Sequence, residues 1–377
     1  MEIFVEKNAL SFQLVKDVLK NYSVKIISSY EDFKWETKSF PELISLGKKR
    51  LFLIYYKGKF FRKCPGTKVY FCCGYKIFHF GEGCPLDCSY CILQLYLNRP
   101  GLKIWANLIE DGLPELKKIL NEYKEKKQVL RIGTGEFADS LALESICNVS
   151  EILINFWQDV NPLAVLELKT KVALSENYFS KFKPDPRIIF AWSVNTEKIV
   201  KEEEKGAASL KKRLESAQKA IKYGFTVAFH FDPIIFYEDA EKEYPQVLEK
   251  ILNSIPLEKI AWISLGTLRY PKDLKSLAES RFPKTKIYSQ EFIEGLDGKK
   301  RYFIDLRRKL YNSFKKIIDE TKDLVTFYFC MEGERMWEEV LGKKINSSFQ
   351  VKALLDRVAL NLCSGKTKLN PGDLNEK

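Results

Sequence analysis

Nowhere does the 377-residue sequence hold a run approaching the roughly 20 apolar residues that a membrane-spanning helix needs. The expectation is a chain with no membrane partner. No internal repeat of solenoid type occurs, which argues against a stacked-repeat fold. The first residues, MEIFVEKNALSFQLVKDVLK, lack the apolar centre of a secretory signal and carry acids and lysines at helix-like spacing instead. With no targeting element in view, the expected location is cytoplasmic. Histidine is scarce, with only His79 and His230. Acids are fewer than bases, 50 against 62, for a net charge of +12. That excess suits a polyanionic partner such as nucleic acid, or a phosphorylated substrate; a lysine-rich chain with solvated helix faces accounts for it equally well. With 45% hydrophobic and 30% charged residues, the composition is globular rather than disordered.

Cysteine is more informative. Six of the nine cysteines, Cys64, Cys72, Cys73, Cys84, Cys88 and Cys91, fall within residues 64–91, while Cys147, Cys330 and Cys363 are scattered. A reducing compartment disfavours structural disulfides, so the clustered thiols point to metal or redox chemistry. The scattered ones read as small buried hydrophobes.

From about residue 75 onward, short apolar runs alternate with amphipathic stretches. Strands are expected at Tyr75–Phe80, Gln128–Ile132, Ala164–Leu168, Arg187–Val194, Thr226–Phe231 and Lys259–Leu265, each rich in Val, Ile, Phe or Leu. Helices are expected at Leu141–Trp157 and at Leu210–Tyr223, where Leu210, Leu214, Ala217 and Ile221 share a face. Six βα units in series imply parallel strands with right-handed crossovers, either doubly wound or closed partly or wholly into a barrel. In both architectures the reacting groups belong at the carboxyl ends of the strands. Gly133-Thr134-Gly135-Glu136, Lys169-Thr170-Lys171, Ser193, His230-Phe231-Asp232 and Gly266-Thr267 all fall there.

The expected organisation is an N-terminal extension over residues 1–74, a barrel over 75–270 and a C-terminal extension over 271–377. The C-terminal part predicts a hairpin or loop around Gly295–Gly298, a long helix at Phe303–Glu320, a further strand at Leu324–Phe329 and a helix near Glu334–Leu341. The tail GKTKLNPGDLNEK is expected to fray.

Residues 81–97 read GEGCPLDCSYCILQLYL, which contains C-x3-C-x2-C. Thiolates are the usual ligands of a [4Fe–4S] cluster, and three of them leave one iron open to chelate a small molecule. A zinc site completed by His79, Cys72 or Cys73 is the alternative reading.

The spacing, with aromatic Tyr90 before the last cysteine, resembles the signature of the radical S-adenosylmethionine superfamily. The segments PGTKVYFCCGYKIFHFGEGCPLDCSYCILQLYL, FAWSVNTEKIVKEEEKGAASLKKRLESAQKA, GFTVAFHFDPIIFYE, WISLGTLRYP, GLDGKKRYF and FYFCMEGERMWE are similar to spore photoproduct lyase and its relatives, from about residue 58 to residue 341. The resemblance implies an α/β fold, a partial (β/α)6 TIM-type barrel with N-terminal and C-terminal extensions. It implies a [4Fe–4S] cluster on Cys84, Cys88 and Cys91 that cleaves S-adenosylmethionine to a 5′-deoxyadenosyl radical. An electron donor such as a ferredoxin or flavodoxin and a DNA substrate are implied with it. Glu136 matches the residue that binds the methionine ammonium, Asp139 a nearby polar contact, Lys171 the lysine at the methionine carboxylate and Ser193 a serine near the nucleoside. Tyr90 and His230 are the expected catalytic residues, Tyr90 as a residue lining the site. His230, one of two histidines and placed at a strand's carboxyl end, reads as a proton carrier or ligand, or equally as a histidine satisfied by core hydrogen bonds. Arg301 and Tyr302 match an Arg-Tyr pair beside the lesion, on a hairpin tip made basic by Lys299 and Lys300.

Two family features are missing. The segment that should hold the lyase's hydrogen-donor cysteine reads GTGEFADSLAL, and the tyrosine after the last cluster cysteine is Ile92. Tyr90 or Cys330 is the expected substitute. Three readings follow: a lyase-like radical enzyme that repairs or modifies DNA, a radical enzyme with a different, non-DNA substrate, and a zinc-containing nucleic-acid-binding protein without catalysis.

Overall fold

The fold is taken from a computed structural model that describes residues 1–36, 39–67, 69–96, 99–160 and 162–365. The expected fraying of the tail falls almost wholly on residues 366–377, outside the described residues.

Seven parallel strands stand side by side in chain order: Lys76–Phe78, Leu130–Gly133, Ala164–Thr170, Ile188–Ser193, Thr226–Ile234, Ile260–Thr267 and Thr326–Phe329. The six expected strands all form, and the further strand expected at Leu324–Phe329 joins the same sheet as the seventh. An antiparallel strand, Phe61–Lys63, covers the other edge. The sheet is thus a partial barrel. Its central strands are buried along their whole length, as Ile188–Ser193 and Ile260–Thr267 show, because helices cover one face and barrel side chains fill the other. Helix Leu210–Lys222 buries Leu210, Leu214 and Ala217 against this sheet, and Ser209 caps it by accepting from Lys212 N.

Two expected helices are broken. The stretch predicted as Leu141–Trp157 divides into Glu144–Cys147 and Val149–Val160, because Asn148 adopts a left-handed conformation (φ 48°) between them. The one predicted as Phe303–Glu320 divides into Ile304–Asn312 and Lys315–Glu320. Periodicity runs across both breaks and does not report them.

The first hundred residues form more than an appendage. A second sheet places Glu2–Glu6 between parallel partners Lys25–Ile27 and Arg50–Ile54, and continues through Leu102–Trp105 to an antiparallel strand, Gly81–Glu82. All five residues of Arg50–Ile54 are buried. At the other end, helix Ser348–Cys363 buries Val351, Leu355, Val358, Ala359 and Leu362, and its Asp356 receives Arg131 Nε at 2.7 Å from the second barrel strand. Among the described residues no helix is long and apolar enough to cross a membrane.

Glu82 stitches the two sheets together. Its carboxylate accepts from Lys103 Nζ at 3.0 Å and lies 3.5 Å from His79 Nε2. Burial works to raise its pKa, but the His79 and Lys103 contacts outweigh burial and hold it at about 2. A carboxylate depressed on folding contributes stability that is complete above its unfolded value of about 4.3 and lost as pH falls through its folded value. Urea unfolding followed from pH 5 to pH 3 is therefore expected to show a steeper stability loss in the native protein than in Glu82→Gln. Parallel curves for the two would exclude this ion pair as a source of acid sensitivity.

Candidate radical-enzyme site

A cavity of about 280 Å³ opens at the carboxyl ends of the barrel strands. Its walls come from the cysteine loop (Cys84, Cys88, Tyr90, Cys91), from strand ends (Glu136, Asp139, Lys169, Lys171, Ser193, Asp232), and from Cys64, Arg269, Lys299 and Met331. The structure thereby gathers seven of the residues named from sequence: the three motif cysteines, Glu136, Asp139, Lys171 and Ser193. The ring of Tyr90 joins them.

The cysteine loop is held through its backbone. Lys48 Nζ donates to Cys84 O at 3.0 Å and to Leu86 O at 2.6 Å. Gln94 Nε2 reaches Ser89 O at 3.0 Å and Cys91 O at 3.1 Å. Arg281 in turn binds Gln94 Oε1 and, at 2.8 Å, Asp87 Oδ1. With the carbonyls engaged from outside, the three cysteines are left lining the cavity. Burial pushes Cys84 up to about 12 and raises Cys88 well above its ordinary value. Thiols in that setting ionise when a bound metal supplies positive charge. Among the described residues no three His, Cys, Asp or Glu side chains are grouped as ligands of one metal ion. A four-iron cluster takes one thiolate per iron, so its ligands need not close round a single ion. Soft donors on one loop and an open cavity beside them fit such a cluster.

Beneath the loop lies a buried polar network. The Tyr90 hydroxyl donates to Glu204, whose other oxygen pairs with Arg213; both the Glu204 and Arg213 side chains have no solvent exposure. Asn195 Nδ2 donates to Glu204 Oε1 at 3.0 Å, and Tyr244 donates to Asn195 Oδ1 at 2.6 Å. Arg213 Nη1 also holds Ser193 O at 2.8 Å. Burial, and then Glu204, raise the Tyr90 pKa, so its phenol keeps its proton. Glu204 and Arg213 were not singled out from sequence; a mid-helix Arg in LKKRLES carries no signal of burial.

Glu136 and Asp139 line the cavity with protein partners of their own, whereas His230 and Cys330 lie outside its lining. Glu136 is paired with Lys169 at 2.7 Å. Asp139 is fully engaged, accepting from Leu141 N and Ala142 N at 3.0 Å, from Thr170 Oγ1 at 2.7 Å and from Lys171 N at 2.9 Å. His230 lies outside the cavity lining, in the barrel interior, with Ser264 Oγ and Glu167 Oε1 each 2.7 Å from a ring nitrogen. Cys330 is likewise outside the lining, 3.3 Å from Arg269 Nη2, whereas Cys64 lines the cavity.

The hairpin forms, from Ile293–Glu294 and Lys299–Arg301, with Arg269–Pro271 as a third strand. Its tip is not the expected Arg-Tyr pair. Arg301 is buried, bonded to Asp297 at 2.7 and 3.2 Å and lying 4.2 Å from the centroid of the Tyr70 ring. Tyr302 is buried too, accepting from Phe236 N at 3.0 Å and stacking on Phe292. Strand alternation turns Lys299 and Arg301 inward and Lys300 outward, and the exposed tip residue is Leu296, at 81%.

A family model described as spore photoproduct lyase matches residues 72–320. The chain belongs to the spore photoproduct lyase family. The spore photoproduct lyase of Bacillus subtilis is 26% identical over 215 residues, 56% of this chain and 61% of that enzyme. That of Clostridium acetobutylicum is 24% identical over 319 residues, 80% of this chain and 90% of that enzyme. A solved spore photoproduct lyase variant with bound AdoMet and dinucleoside spore photoproduct superposes with a TM-score of 0.75 at 21% identity, covering 87% of this chain and 98% of the other. This likeness carries the fold, a partial barrel with both extensions. Membership of a family of enzymes goes against the reading as a protein without catalysis.

Breaking the fully buried Glu204–Arg213 pair strands a charge in the interior. Arg213→Ala is expected to lower stability by about 3–5 kcal/mol in chemical denaturation. A loss below about 1 kcal/mol, the range of an exposed pair, would show that the network does not anchor the loop.

Proposed function

We propose that this member of the spore photoproduct lyase family holds a [4Fe–4S] cluster on Cys84, Cys88 and Cys91, binds S-adenosylmethionine beside it, and acts on a thymine-dimer lesion in DNA. The carrying observation is that the three cysteines of C-x3-C-x2-C line one cavity with Glu136, Lys171 and Ser193. The cluster would supply the electron that cleaves S-adenosylmethionine to methionine and a 5′-deoxyadenosyl radical. The rest is the work of side chains. Lys171, whose ammonium stands 5.7 Å from the centroid of the Tyr90 ring, presents a cation to the methionine carboxylate. Glu136 accepts the methionine ammonium by exchanging partners with Lys169. Ser193, at the end of the fourth barrel strand, borders the nucleoside. Asp139 does not contact the cofactor in this reading; it fixes the strand ends that do. Tyr90 packs as a wall with its hydroxyl tied to Glu204, and His230 holds the barrel interior. A ferredoxin or flavodoxin is the electron donor, and the setting is cytoplasmic.

Among the described residues the segment after the second barrel strand offers no thiol to the cavity, but Cys64 does. Burial, then the nearby Glu136, raise its pKa, so it remains an S–H group. Its hydrogen atom passes to the substrate carbon radical, forming a C–H bond and leaving a thiyl radical on sulfur.

Two measurements test these assignments. Anaerobically reconstituted protein is expected to carry about four irons per chain and to form 5′-deoxyadenosine under reductant, and Cys88→Ala to lose both. A zinc-loaded, iron-free protein would defeat the assignment. Cys64→Ala is expected to keep 5′-deoxyadenosine formation while clean thymine release from spore photoproduct gives way to by-products. Unchanged product distribution would remove Cys64 from the pathway. The relocated thiol and Ile92 at the cavity also favour a second reading, the same radical chemistry on a different, non-DNA substrate. Its mark is 5′-deoxyadenosine formation without thymine release.

A further inference from the structure

The cavity's charges are unevenly matched. Lys169, Lys171, Arg269 and Lys299 line it. Lys169 is neutralised by Glu136 at 2.7 Å, and Arg269 by Asp232 at 3.0 and 3.1 Å. Lys171 stands at the cluster-loop wall, over Tyr90. Lys299 belongs to a different wall, beside Arg269 and Met331, and its nearest acceptors are remote: Met331 Sδ at 3.9 Å and Asp297 Oδ2 at 4.0 Å. The Asp297 carboxylate already receives two N–H groups from Arg301. The Lys299 side chain is only 19% exposed, so water compensates it poorly. Burial and the adjoining Arg269 and Arg301 charges lower its pKa, Asp297 opposing them.

A half-buried ammonium beside two guanidiniums, without a close carboxylate of its own, is an ion cluster that lacks an anion. The neighbour Lys300 turns outward and pairs with Glu294 at 3.3 Å, so of the two adjacent lysines only Lys299 faces the cavity. We infer that Lys299 recognises the phosphodiester that joins the two nucleosides of the substrate, inside the cavity and alongside Arg269. The inference rests on the proposed nucleic-acid substrate, in which that phosphodiester is the one formal charge at the reacting pair. An ammonium with three donors and only long contacts of its own suits its two unbridged oxygens.

The test is equilibrium binding, without turnover, to cluster-loaded protein. The ligands are a synthetic spore photoproduct as a dinucleoside, the same lesion as a phosphodiester-linked dinucleotide, and a lesion-bearing single strand. The native protein is expected to bind the dinucleotide about tenfold more tightly than the dinucleoside, the worth of one charge-assisted hydrogen bond. Lys299→Gln is expected to abolish that preference, Lys299→Arg to keep most of it, and both to bind S-adenosylmethionine as the native protein does. The inference is overturned if Lys299→Gln retains the preference, if it weakens S-adenosylmethionine instead, or if it weakens only the longer strand. Equal binding of both small ligands by the native protein overturns the inference alone. Binding of neither overturns the substrate reading with it.

Discussion

The contact on which the site depends is the buried salt bridge between Glu204 and Arg213. Neither side chain reaches water, so the pair persists only because each remaining polar atom is also satisfied. Glu204 takes the Tyr90 hydroxyl and the Asn195 amide; Arg213 takes Ser193 O and Ala208 O. One ion pair therefore joins the cysteine loop, the end of the fourth barrel strand and a surface-covering helix. Residues 204–205 also pair with residues 87–88 through the backbone, fixing the loop beside the second motif cysteine. A loop that is to present three thiols to one group needs such rigidity, since a cofactor in an open cavity cannot supply its own alignment.

Much of this was legible in the sequence because it follows from period and spacing. Strands buried on both faces leave continuous apolar runs, and all six were found to within a few residues. The cysteine motif is a matter of spacing and so survives translation into structure unchanged. What escaped was decided by long-range pairing. Arg213 looks like a solvated helix residue until Glu204 is brought to it. Arg301 looks like part of a basic tip until Asp297, four residues earlier, folds back and takes its guanidinium inside. His230 attracted a catalytic reading through rarity and position, yet Glu167 and Ser264 occupy both ring nitrogens. The N-terminal sheet was missed for another reason: its strands are short, widely spaced in sequence and completed by residues 81–82 and 102–105, on either side of the cysteine motif.

Under the proposed function, the cavity would keep the family's way of starting the radical and alter its way of ending it. One side of the cavity carries the three motif cysteines with Lys171, Glu136 and Ser193, the residues to which the proposed function gives the cofactor. Where the family has a donor cysteine this chain has none in the corresponding segment, and a thiol from before the first parallel barrel strand lines the cavity instead. Cys64 approaches from the edge-strand side, so the hydrogen it supplies would reach a substrate radical from a different direction.

The clamps on the cysteine loop come from far apart. Lys48 follows helix Phe40–Gly47 beside the N-terminal sheet, and Arg281 ends helix Leu274–Arg281 in the C-terminal part. Both reach the same eight-residue loop, one through carbonyl oxygens and the other through Gln94 and Asp87. The barrel alone thus does not define the loop's backbone. The segments flanking the barrel are bound to it by common geometry rather than by adjacency, and an exchange of either one between relatives would have to preserve a lysine or arginine reaching the same point in space.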